Sequence, residues 1–118
     1  MNTETTNKDI LTHHLTAFGE NNLDEILKDY TEQSVILTNE GQIKGLTKIK
    51  DFFDELFKLI PTGSVFEMLQ FTIVDHVAHI IWKSSSTTAT INFGTDTFFL
   101  AEGKILFHTV AADIKIID

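Results

Sequence analysis

From Val65 to its end the chain reads as β-structure throughout, and that constrains the fold more than any other feature. The run is broken only at Asp75-His76, at the Ser84-Ser85-Ser86-Thr87-Thr88 patch and at Ala101-Glu102-Gly103. Four long strands are predicted, at residues 65–74, 77–85, 87–100 and 104–117. Before Val65 the apolar residues recur at helical spacing instead. Ile10, Leu11, His14, Leu15 and Phe18 form one stripe, with capping chemistry at Thr5-Thr6-Asn7 and a stop at Gly19. A second stripe, Leu23, Ile26, Leu27 and Tyr30, starts near Asn22. A third, Ile49, Phe52, Phe53, Leu56 and Phe57, starts at a Thr47 cap and ends at Pro61 and Gly63. Between the last two lies a short strand at 34–38, closed by Asn39-Glu40-Gly41. Segregation of this kind predicts an α+β fold: three N-terminal helices packed on a curved, mainly antiparallel sheet. At 118 residues it is a single domain, 1–118, with residues 1–6 expected to be a flexible start.

The closing pair of strands carries the first candidate chemistry. A three-residue Ala-Glu-Gly connection pairing Leu100 with Lys104 sets Asp96 directly opposite His108, on one face. A carboxylate and an imidazole side by side among Phe, Leu and Val are either a proton-transfer pair or a satisfied buried polar pair. By the same alternation Asn92, Asp96 and Phe98 share that face with His108, Val110 and Ala112.

Composition removes several alternatives. Net charge is −8, with nine Lys+Arg and no basic cluster, so nucleic acid is disfavoured as a partner. The absence of cysteine removes disulfides and thiolate chemistry. Neither a secretory leader nor an apolar run of membrane-spanning length is visible, and the expected location is the cytoplasm. Ten phenylalanines suit a Phe-rich core or a Phe-lined cavity. No phosphate loop or nucleophile elbow occurs, and no cofactor is expected. His76 and His79 lie three apart on β-structure, hence on opposite faces, so no metal site is expected. His13 and His14 are adjacent on a helix, so at most one enters a pocket. The phase of the strand bearing Trp82 is left open.

Three passages together resemble the NTF2-like superfamily, in particular its SnoaL-like and ketosteroid-isomerase-like branch. They are Asn21-Asn22-Leu23-Asp24-Glu25-Ile26-Leu27 with Tyr30 and Val35, the Gly45-Leu46-Thr47-Lys48-Ile49 helix start with Phe52-Phe53, and the closing Asp96 to Ile105 hairpin. The resemblance implies a cone with a pocket between the helices and the sheet. It puts His14 where ketosteroid isomerases hold an oxyanion with a Tyr, and Asp96 at the protonated Asp of that oxyanion hole. Thr38 falls where those enzymes keep their Asp base, so a standard ketosteroid isomerase is not expected. Asp96, His108 and His14 are the implied catalytic residues. Phe18, Tyr30, Thr38 and Phe53, with Phe57, Asn92, Phe98 and Val110, are the implied pocket for an apolar small molecule. Two functions stay open: a cofactor-independent isomerase, cyclase or lyase acting on an apolar carbonyl compound, and a non-catalytic ligand-binding or accessory domain. On the opposite sheet face Ile91, Phe93 and Phe99 are expected to be exposed, which predicts a homodimer through that convex face.

Overall fold

The computed structural model describes residues 3–117. In chain order the elements are α1 (Thr3–Gly19), α2 (Leu23–Leu27), β1 (Val35–Thr38), β2 (Gly41–Lys44), α3 (Leu46–Leu59), β3 (Val65–Val74), β4 (Val77–Ser85), β5 (Ala89–Ala101) and β6 (Lys104–Ile116). The six strands make one sheet in the order β2-β1-β6-β5-β4-β3. Every pairing is antiparallel except that of β1 with β6. The inner face packs against the helices around Leu11, Ile26, Ile49, Phe53, Phe98 and Leu100.

The α+β class holds, while the helical half differs from its sequence expectation in several ways. The second helix is only five residues, and the third follows a β1–β2 hairpin rather than closing a three-helix N-terminus. Strand β2 was not expected: only Ile43 among its four residues is apolar, and only Ile43 is partly buried, so it has no readable period. Caps also differ. The second helix does begin near Asn22, whose side chain caps α2 by accepting from the Glu25 N–H. Thr47, however, lies inside α3, whose first residue Leu46 gives its N–H to the distant Glu32 carboxylate at 3.0 Å. Asn7 lies within α1 and is buried; its side-chain amide donates to the Asp75 carbonyl at 2.9 Å, fastening the helix to the β3–β4 turn. The expected flexible start falls partly on Met1 and Asn2, which lie outside the described residues.

Three bulges decide which side chains face inward. The β5–β6 turn is tighter than expected: Ala101 pairs with Lys104, and Glu102 and Gly103 both take positive φ, as a two-residue hairpin turn requires. Continued regularly, that register would set His108 against Thr97, on the outer face. Instead Leu100 pairs with Ile105 and Phe99 with Phe107, so Leu106 is an extra residue and the parity flips. His108 therefore lies opposite Phe98 and Asp96 opposite Val110. The direct Asp96–His108 register expected from sequence is corrected to a diagonal on the same face.

A second bulge, at Asn92 and Phe93, lets Ile91 and Gly94 both point inward. Two expectations from strict alternation fail here. Asn92 is exposed rather than in the pocket, and Ile91 is 1% exposed in the core rather than on the convex face. The third bulge lies on β3, between Met68 and Gln70.

Candidate active site

A cleft of about 820 Å³ opens between α3, the β1–β2 turn and the inner sheet face. Phe52, Leu56, Trp82, Val110 and Ala112 give it a mainly apolar lining, while Lys48, Asp51, Glu55 and Lys58 lie along α3. Leu56, Trp82 and Val110 also line a deeper chamber of about 30 Å³, room for one water-sized group. The polar side chains on that chamber are His14, Asp96 and His108, with the Trp82 indole.

These groups are joined by a hydrogen-bond chain. The Asp96 carboxylate accepts from Trp82 Nε1–H at 2.9 Å on Oδ1 and from His108 Nε2–H at 2.7 Å on Oδ2. The other imidazole nitrogen, His108 Nδ1, lies 2.8 Å from the Tyr30 hydroxyl. Tyr30 is buried, and burial, with the Asp96 and Asp29 carboxylates nearby, pushes its phenol well above the usual value of 10.0. The phenol keeps its proton, and Nδ1 is the acceptor it reaches. A neutral imidazole protonated at Nε2 satisfies every partner at once. Phe98 stacks on that ring at a centroid distance of 4.2 Å, which holds its plane. Asp96 is 8% exposed and His108 only 1%. Asp96, His108 and Trp82 all line the chamber, and the imidazole and the indole hold the carboxylate in place.

His14 completes the wall. Burial pushes it well below its ordinary pKa, so the ring is neutral. Its Nδ1 is buried without a hydrogen-bond partner, 3.9 Å from Asp29 Oδ2. His13 points away, as the helix requires. Its Nδ1 lies 2.9 Å from both Asp29 oxygens, and its Nε2 lies 2.9 Å from Glu25 Oε1.

Most of the expected pocket residues gather here, with distinct roles. Phe18, Phe53 and Val110 line the chamber; Tyr30 and Phe98 stand behind it, against His108. Thr38 lines the outer cleft, with Oγ1 accepting the Glu40 N–H at 3.1 Å. Phe57 packs against Phe18 and Phe53 in the core and lines neither cavity. His76 reaches the Leu100 carbonyl and His79 the Thr95 hydroxyl, so the two histidines serve different partners. Trp82, whose phase the sequence left open, proves central. A signal for it was present: it lies opposite Gly94, where a Cβ would collide with the indole. A glycine inside a strand, two residues before a buried acid, marks such a close approach.

Solved structures described as NTF2-like and SnoaL-like share this architecture of one sheet with helices over its inner face. An epoxide hydrolase/cyclase-like enzyme, SalBIII, which has a role in pyran ring formation in the polyether salinomycin, superposes with a TM-score of 0.81 at 20% identity, over 99% of this chain and 100% of that one. A SnoaL-like protein from Burkholderia thailandensis gives 0.77 at 13% identity, over 96% and 99%. A protein assigned as a polyketide cyclase from Sinorhizobium meliloti gives 0.73 at 19% identity, over 87% and 94%. At these identities the likeness establishes the fold. No protein-family model and no curated protein matches the sequence. No described helix is long and apolar enough to cross a membrane.

Proposed function

We propose that this protein is a SnoaL-like enzyme performing cofactor-independent acid–base chemistry, an isomerisation, cyclisation or elimination, on an apolar carbonyl compound. One observation carries the reading: the Asp96 carboxylate reaches a water-sized chamber at the end of an apolar cleft while His108 and Trp82 hold its two oxygens. A base fixed in this way needs no reorganisation when it takes a proton from a substrate carbon beside a carbonyl. Neutral His14 has one N–H to offer the oxyanion that develops. His108 and Tyr30 act as positioning residues, because both imidazole nitrogens are already engaged. The solved structures described as cyclase-like and SnoaL-like support the class of chemistry by analogy of fold.

Exchange of carbon-bound hydrogen tests the reading without knowledge of the product. With 2-tetralone in D2O, the wild-type protein is expected to accelerate deuterium uptake beside the carbonyl, followed by proton NMR. Asp96→Asn is expected to lower that rate by about 100-fold or more. An equal rate in a folded Asp96→Asn protein would exclude Asp96 as the base.

The second reading is a non-catalytic binding or accessory domain using the same cleft. Thr38 favours it, since a hydroxyl engaged by the Glu40 N–H offers no second base. Absence of exchange with any of a panel of apolar ketones that nonetheless bind would select it.

We also propose a homodimer through the outer sheet face. Phe93, Phe99 and Phe107 are exposed there, and the Phe99 and Phe107 rings lie 6.2 Å apart.

A further inference from the structure

The deep chamber holds a carboxylate, Asp96, with no lysine or arginine among the described residues on its walls. Both Asp96 oxygens are engaged by ring nitrogens, Oδ1 by Trp82 Nε1 at 2.9 Å and Oδ2 by His108 Nε2 at 2.7 Å. Those donors are an indole and an imidazole, and the satisfied arrangement leaves the imidazole neutral, with Nδ1 accepting from Tyr30. The sequence contains no arginine. Lys48 and Lys58 line the outer cleft and not the chamber. A buried anion held only by neutral donors favours a cation as its next neighbour.

The walls suit one. Phe18, Phe53, Phe66 and Trp82 all line the chamber, and Phe66 stacks on the indole at 5.3 Å. Aromatic faces attract a desolvated ammonium through the ring quadrupole. Each carboxylate oxygen of Asp96 has a lone pair beyond the one already used, and neutral His14 adds an acceptor nitrogen. The chamber's 30 Å³ admits a single heavy atom with its hydrogens, and the adjoining 820 Å³ cleft has room for a hydrocarbon body.

We propose that the chamber beside Asp96 binds the ammonium group of an apolar primary amine, with the amine's hydrocarbon body lying in the outer cleft. The inference rests on the same Asp96 chamber as the proposed function, but it concerns binding and needs no turnover. Such amines would occupy the base and block its chemistry.

Trp82 is the only tryptophan in the chain, so its fluorescence reports occupancy directly. Three probes of matched hydrocarbon body, 2-phenylethylamine, 2-phenylethanol and phenylethyl-trimethylammonium, are titrated at neutral pH. The primary amine is expected to bind about tenfold or more tighter than the alcohol. The quaternary ion is expected to lose that advantage, being too large for the chamber, which separates the chamber from general attraction to an acidic protein. In Asp96→Asn, checked for folding by its melting curve, amine and alcohol are expected to bind alike. Equal binding of amine and alcohol to the wild type overturns the proposal, as does a quaternary ion bound as tightly as the primary amine. Either result would leave the deuterium-exchange test of Asp96 as a base untouched.

Discussion

At the scale of single residues, the site depends on contacts that small substitutions remove selectively. Tyr30→Phe deletes the hydroxyl that satisfies His108 Nδ1 and leaves a buried acceptor unpaired. A loss of about 1–3 kcal/mol in denaturant unfolding is expected; an unchanged midpoint would mean that the bond carries no weight. Gly94→Ala drives a methyl into the Trp82 indole. It is expected to cost about 1–3 kcal/mol and to red-shift Trp82 emission as the ring leaves Asp96; unshifted emission would contradict the close approach. The sequence made Asp96 and His108 legible as an inward-facing pair, though for a reason that was only half right. Parity placed them together through a three-residue turn, whereas the chain uses a two-residue turn and a bulge at Leu106. Two departures from regularity cancelled. At Asn92 and Phe93 no second departure compensates the bulge, and alternation misplaced Ile91 and Asn92. Bulges have weak local signatures, because one extra residue in a strand changes neither its composition nor its length appreciably.

At the scale of elements, α1 and α2 are joined by a histidine whose bonds depend on pH. His13 faces Asp29 and Glu25, with Lys28 and Lys104 also near these carboxylates. A ring that donates at both nitrogens is an imidazolium, and its hydrogen bonds to Glu25 and Asp29 raise its pKa above the ordinary 6.5. The folded value is the higher one, so this contribution is complete below 6.5 and is lost as pH rises through the raised value. His14 acts in the opposite sense. Its folded pKa is depressed by burial, so acidification below 6.5 protonates the unfolded chain first and costs stability. Melting temperatures between about pH 5.5 and 8.5 are expected to decline less on the alkaline side in His13→Gln than in the wild type. A constant offset between the two proteins across that range would contradict the linkage. The long elements were legible because their apolar periods run for two turns or more. The five-residue α2 was marked by the stripe of Leu23, Ile26 and Leu27, and β2 by nothing at all. That hairpin owes its existence to pairing with its neighbours rather than to its own residues.

For the whole molecule, the balance of charge and apolar surface sets how it meets others. A net charge of −8 opposes association at long range, while the exposed Phe99 and Phe107, at 39% and 49%, favour it at contact. Sedimentation at micromolar concentration is expected to show a dimer that Phe107→Glu converts to a monomer, and a monomeric wild type would remove the idea. The fold itself was legible from three passages spread along the chain. The cleft's two-chambered form was not, because it depends on the inward turn of Trp82 opposite Gly94. A neutral His108 bracing the Asp96 carboxylate is the arrangement on which the site depends, and nitrogen-15 NMR of the His108 ring reads it out. At neutral pH a single proton on Nε2, an unprotonated Nδ1, and a change in the Nε2 resonance in Asp96→Asn are expected. A ring protonated at both nitrogens, or at Nδ1 alone, would contradict it.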